Sequence, residues 1–147
     1  MLELTIEQIS MGQSAVDKPA ALQLLANHLV ADGLVADGYL AGLQAREAQG
    51  STFLGQGIAI PHGTPQTRDL VHTTGVRLLQ FPEGVDWGDG QRVYLAIGIA
   101  ARSDCGVSPL RTAAVNFAAG YPIACASSRI WRRGSAITSW IEREIRP

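Results

Sequence analysis

Gly57-Ile58-Ala59-Ile60-Pro61-His62-Gly63-Thr64-Pro65 is the stretch on which both the fold and the site depend. Ile58, Ala59 and Ile60 form a short apolar run that reads as a buried strand. Pro61 ends it, because proline has no N–H to continue a ladder. Gly63 lets the backbone turn sharply at little steric cost. His62 is therefore offered at a strand end, where its side chain reaches solvent or a partner. Histidine titrates near neutrality and can act as a nucleophile. His62 is the leading candidate for chemistry.

Upstream of this strand the sequence predicts two helices. Asp17 is a good N-cap, with Lys18 and Pro19 in the first turn, where proline is tolerated. Leu22, Leu25, Ala26, Leu29 and Val30 follow helical spacing, and Gly33 marks a stop. A second helix is expected from about Ala36 to Ala48, with Leu40 and Leu43 facing inward, Arg46 near its C-terminal end and Gly50 ending it. Ser51, Thr52 and Gly55 read as the loop feeding Ile58–Ile60. Downstream, Thr74–Phe81 reads as a strand. Pro82–Gly90, dense in glycine, proline and aspartate, reads as a turn. Val93–Ala100 is nearly continuous apolar sequence, suited to a strand buried on both faces. Helices alternating with buried strands imply an α/β sandwich around one sheet.

With 147 residues, 46% apolar and 17% charged, the composition is that of one globular domain. A net charge of −1 gives no reason to expect nucleic acid or an anionic membrane as partner. No apolar run approaches the length of a spanning helix, and no secretory signal opens the chain. Two cysteines, Cys105 and Cys125, are too few for a disulfide framework. They read as reduced, inert small hydrophobes, and the chain as cytoplasmic.

The composition breaks near residue 104. Residues 1–104 carry 6 Lys/Arg against 11 Asp/Glu, whereas residues 105–147 carry 6 Arg against 2 Glu. Fourteen leucines precede the break, and only Leu110 follows it. Beyond it, Val115, Ala118 and Ala119 make a weak helical face, and Ile137, Trp140, Ile141 and Ile145 suit one side of a short final helix.

Among chemical readings of His62, a metal site lacks companions. Neither His28 nor His72 has ligand spacing to it, and no Cys-x-x-Cys occurs. Both read as surface or helix residues. No Gly-x-Ser-x-Gly elbow supports a serine hydrolase. Gly55-Gln56-Gly57 lacks the nucleotide-loop patterns, and Lys18 is the only lysine. What survives is a histidine nucleophile beside a phosphate-binding group. Arg46 supplies a fixed charge and several donors. Ser51, Thr52 and Thr64 hydroxyls and N–H groups around Gly63 are candidate donors to phosphoryl oxygens. Spacing alone leaves His62 open as a structural residue, and Arg46 alone reads as a solvated helix residue.

The linked run Ala45-Arg46-Glu47-Ala48-Gln49-Gly50-Ser51-Thr52-Phe53-Leu54-Gly55-Gln56-Gly57-Ile58-Ala59-Ile60-Pro61-His62-Gly63-Thr64 resembles the active-site signature of enzyme IIA domains of the fructose/mannitol type, from the bacterial sugar phosphotransferase system. The resemblance continues through Val85-Asp86-Trp87 and Val93–Ala100, and covers residues 1–104. It implies a mixed β-sheet sandwiched between α-helices. It implies that His62 is phosphorylated by phospho-HPr and hands the phosphoryl group to a cysteine of a IIB component, with no metal or cofactor. Arg46 would contact the phosphoryl group. The expected process is sugar uptake, fructose first. The alternatives are a regulatory docking domain of the nitrogen type, or an impaired remnant.

The resemblance stops at Ser103-Asp104-Cys105-Gly106-Val107-Ser108-Pro109. Family members continue there with an Asp/Asn-Glu-His-Leu-like segment whose histidine shares the active site, followed by a Leu-rich helix. Here no histidine follows His72. Residues 105–147 are thus expected to be an atypical segment of the same domain, either displaced in reading frame or divergent.

Overall fold

The structure, a computed structural model, describes residues 6–102. The first helix, α1 (Lys18–Ala31), begins and ends where local chemistry dictates. Asp17 Oδ1 accepts the Ala20 N–H at 2.8 Å, satisfying one of the free donors of the first turn. At the other end Gly33, at φ 70°, leaves the helix. Its N–H reaches Val30 O and the Leu34 N–H reaches Leu29 O, which together close the last turn. Ala21, Leu22, Leu25, Ala26 and Leu29 form the buried face.

The second helix, α2 (Tyr39–Gln49), starts three residues later than the spacing predicts. The reason is tertiary. Val35 pairs antiparallel with Val71, and the Ala36 N–H donates to Leu70 O at 2.7 Å, so these residues are spent on a bridge. Gly38, at φ 94°, then turns the chain into the helix. Tyr39, Leu43 and Glu47 fall on its buried stripe, whereas Leu40 is only half-buried.

Five strands, β1 (Ile9–Ser10), β2 (Phe53–Gly55), β3 (Ile58–Ala59), β4 (Gly75–Gly88) and β5 (Gln91–Ala100), form one sheet in the order β1-β4-β5-β3-β2. β1 with β4 and β3 with β5 are parallel, and the other two pairings are antiparallel. The expectation of a turn over Pro82–Gly90 is corrected here, because β4 continues to Gly88. Pro82 and Gly84 sit inside a register shift between Gln80 and Val85, where the ladder asks no N–H of proline. The turn proper is Asp89–Gly90, with φ of 53° and 74°, a left-handed pair that matches strand twist.

On β5, Ala96, Gly98 and Ala100 face α1, while Leu95 and Ile99 join Ile58, Ile60, Val76 and Leu78 in a second apolar cluster. A Cβ on Gly98 would lie 2.6 Å from Leu25 Cδ1, so the glycine lets the helix close on the sheet. Burial on both faces holds for the second half of β5, whereas Arg92 and Tyr94 are exposed. The described residues make a single α/β domain with a mixed sheet. The helical faces expected after residue 105, Cys105, Cys125 and the whole segment 105–147 lie outside the described residues.

Candidate active site

The end of β3 is extended by one more step of pairing. The Ile99 N–H donates to Pro61 O at 3.0 Å, and His62 bridges Ile99 in parallel. Pro61 thus still accepts where it cannot donate, and His62 emerges at the rim, half-buried. The next peptide is held by Tyr39. Its buried hydroxyl donates to Ile99 O at 3.0 Å and accepts the Gly63 N–H at 3.0 Å. Burial pushes the Tyr39 phenol above its ordinary range, and the Gly63 hydrogen bond offsets part of that. The phenol therefore stays neutral and keeps its proton for Ile99. A Cβ at Gly63 would meet Thr67 Oγ1 at 2.7 Å and Tyr39 Oη at 2.8 Å, so only glycine fits.

Arg46 and His62, 16 residues apart in sequence, meet in space. Arg46 Nε donates to His62 Nε2 at 3.1 Å, and His62 Nδ1 lies 2.9 Å from Ile60 O. A guanidinium N–H can only donate, so Nε2 is the accepting nitrogen. A neutral ring then carries its proton on Nδ1, where the Ile60 carbonyl accepts it. Arg46 Nη1 also donates to Gly50 O at 2.8 Å, tying the guanidinium to the loop after α2. No carboxylate among the described residues is paired with Arg46.

The other predicted donors are arranged differently from expectation. Thr52 is buried, and both its N–H and its hydroxyl donate to Glu47 Oε2, at 3.0 and 2.5 Å. The Gly63 N–H is committed to Tyr39 rather than presented at the rim. Ser51 is exposed, and its Oγ accepts the Phe53 N–H at 3.2 Å, which leaves the O–H able to donate. Thr64 is buried at the start of a 3₁₀ turn over Pro65–Leu70, and its carbonyl accepts from Thr67.

Glu47 and Tyr39 are the residues that sequence reasoning missed. Their signal was present: positions 39, 43 and 47 form one i, i+4 stripe, and a carboxylate ending an apolar stripe needs partners. Those partners are Thr52 and Lys18, whose Nζ lies 3.3 Å from Glu47 Oε1. His72 is exposed, and His28 sits on α1 far along the chain from the site. Among the described residues no group of three or more His, Cys, Asp or Glu is placed to hold a metal ion.

Comparison with known proteins bears on the fold and the family. The family model described as "Phosphoenolpyruvate-dependent sugar phosphotransferase system, EIIA 2" matches residues 3–112. Over 104 residues the chain is 61% identical to the multiphosphoryl transfer protein of Vibrio cholerae, covering 71% of this chain and 26% of that protein. The corresponding protein of Escherichia coli O157:H7 is 57% identical over 104 residues, with 71% and 28% covered. The chain therefore spans about a quarter of the length of these curated relatives. Its fold matches the crystal structure of mannitol IIA from Escherichia coli at a TM-score of 0.72 and 30% identity, covering 90% of this chain and 98% of that one. It also matches the Escherichia coli complex of mannitol IIA with phosphorylated IIB, at a TM-score of 0.74 and 28% identity, covering 92% and 99%. On sequence and fold together, the chain belongs to the EIIA type-2 family of the phosphoenolpyruvate-dependent sugar phosphotransferase system.

Proposed function

We propose that His62 accepts a phosphoryl group from phospho-HPr, or an HPr-like domain, and passes it to a cysteine of a IIB component during sugar uptake, with fructose the first sugar to test. The observation that carries this reading is the two-sided hold on one imidazole: Arg46 Nε on Nε2 at 3.1 Å and the Ile60 carbonyl on Nδ1 at 2.9 Å. Nδ1 is tied to backbone, so the nucleophilic lone pair is that of Nε2. At rest Arg46 occupies it. As the donor docks, the guanidinium yields Nε2 and turns its N–H groups to the phosphoryl oxygens, with the Gly50 carbonyl keeping it at hand.

The lone pair on Nε2 then attacks phosphorus while the donor's P–N bond breaks and its electron pair returns to the donor imidazole. Positive charge developing on the His62 ring is shared through Nδ1–H with Ile60 O. In the second transfer a IIB thiolate attacks phosphorus, the Nε2–P bond breaks, and its electron pair returns to Nε2. The IIB acceptor is supported by the solved complex of a relative with phosphorylated IIB. Such a carrier works in the cytoplasm, and no described helix is long and apolar enough to cross a membrane.

Incubation with phosphoenolpyruvate, enzyme I and HPr tests the reading. An acid-labile phosphoryl group on the wild type, absent from His62→Ala, is the expected result. Uptake of label without onward transfer to a IIB cysteine, and with a partner captured in only one phospho-state, would instead favour a regulatory docking role. We further propose that residues 105–147 are displaced in reading frame. Resequencing the coding DNA decides it. Restoring a family-type histidine would regain one preorganised donor, worth on the order of 10²–10³ in rate.

A further inference from the structure

We infer that Glu47, with Thr52, is a positioning residue that fixes the reactive tautomer of His62. The inference rests on the reading of His62 as phosphoryl acceptor, and it concerns a side chain whose described hydrogen bonds go to Thr52 and Lys18 rather than to the imidazole. Glu47 follows Arg46 on α2, yet it points inward, with a side chain 6% exposed. A buried carboxylate is costly unless its lone pairs are met. Here Oε2 takes the Thr52 N–H and hydroxyl, and Oε1 faces Lys18 Nζ.

From Thr52 the path runs straight to the site. The Thr52 carbonyl accepts the Ile60 N–H at 3.1 Å. The carbonyl of the same Ile60 receives His62 Nδ1 at 2.9 Å. Glu47 thus sets Thr52, Thr52 sets the Ile60 backbone, and Ile60 O decides which ring nitrogen keeps the proton. The same loop holds Arg46, because Gly50 O accepts Arg46 Nη1 at 2.8 Å. Two adjacent side chains of one helix therefore clamp Gly50–Thr52, and through that loop both sides of the imidazole are held. Loss of the clamp lets Ile60 O drift from Nδ1, frees the ring to carry its proton on Nε2, and takes the lone pair from the rim. Misplacement of a reacting group by about 1 Å commonly costs on the order of 10² in rate.

The test uses the full chain, with Glu47→Gln, Thr52→Val and Thr52→Ser. Ring ¹⁵N spectra of His62 report the tautomer without any phosphoryl donor, and phosphorylation by phospho-HPr is timed separately. Thr52→Ser keeps both donors and is expected to match wild type. Thr52→Val and Glu47→Gln are expected to show a mixture of tautomers and phosphorylation slowed about tenfold to a hundredfold. Should Glu47→Gln fail to fold, Thr52→Val carries the test. Unchanged ring spectra in Thr52→Val overturn the inference, whether or not the rate falls, since a merely structural clamp would lower the melting temperature alone. If wild type itself takes no phosphoryl group, the proposed function fails while the spectra still decide the role of Glu47.

Discussion

His62 and His28 each have an arginine for a neighbour, but the two arginines are spent differently. Arg77 lies close enough to His28 for its charge to matter, yet both its Nη groups are already committed. Nη1 donates to both oxygens of Asp32 at 2.9 Å and to Glu7 O, and Nη2 donates to Ser10 Oγ at 2.6 Å. That arginine joins α1, β1 and β4, and its charge is paired. Arg46 instead aims Nε at a ring nitrogen, and among the described residues its other hydrogen bond goes to the Gly50 carbonyl. No carboxylate among the described residues is paired with its charge, which on the proposed function meets the incoming phosphoryl group. Proximity of arginine and histidine is therefore not a site. The proposed site differs by a guanidinium that no carboxylate among the described residues pairs with, and by a ring anchored from behind by a carbonyl.

The hardest blow to this contrast is a pair of deletions. His62→Ala is expected to abolish phosphoryl acceptance, and His28→Ala to leave it near wild type, as read by intact mass after incubation with the donor system. Label remaining on His62→Ala would transfer the role elsewhere. Next in size are the arginines. Arg46→Ala should slow phosphorylation by on the order of 10²–10³ while the chain melts nearly as wild type. Arg77→Ala should do the reverse, leaving the rate but costing on the order of 1 kcal/mol of stability, because a partly exposed set of charged hydrogen bonds is broken. Equal effects of both on rate would erase the distinction.

The same contrast explains what could be read in the sequence. Asp17, Pro19 and Gly33 act within a few residues of themselves, so α1 was legible to its caps. The start of α2 was not, because Val35 and Ala36 are claimed by Leu70 and Val71, a contact that local pattern does not carry. Pro82 and Gly84 have the same local chemistry in a bulge as in a turn, and only the pairing of β4 with β5 tells them apart. In the candidate site, the rim position of His62 was legible from a strand ended by proline and glycine. The direction of the Thr52 hydroxyl was not, since it follows from where Glu47 lands on α2.

A smaller effect is expected at Gly63, where the backbone beside His62 is set. A Cβ there would collide with Thr67 Oγ1 and with Tyr39 Oη and Cε2. Gly63→Ala should therefore cost about 1–3 kcal/mol, as overpacking does. It should also slow phosphorylation, because relief requires the His62–Gly63 peptide to move. Tyr39→Phe separates the two effects. It removes the acceptor for Gly63 N–H and the donor to Ile99 O without adding bulk. Thermal melts and single-turnover rates on both variants check this, and a Gly63→Ala chain with wild-type melting would show that the pocket has slack.

The smallest effect belongs to His28, and its sign follows from its surroundings. Burial lowers its pKa from 6.5, the charge of Arg77 lowers it further, and Asp32 raises it. The folded chain thus keeps His28 neutral over a range where the unfolded chain already binds a proton. The stability it contributes is complete above pH 6.5 and is lost as pH falls from there through the depressed folded value. His28→Asn should flatten the pH dependence of melting in that acidic window, with little change above it. Asp32→Asn removes the group that holds the imidazole up, so the titration of His28, followed by its ring proton shifts, should move to lower pH. A move to higher pH would mean that Asp32 matters to His28 only by holding Arg77 near, and that the charge of Arg77 governs this histidine more than burial does.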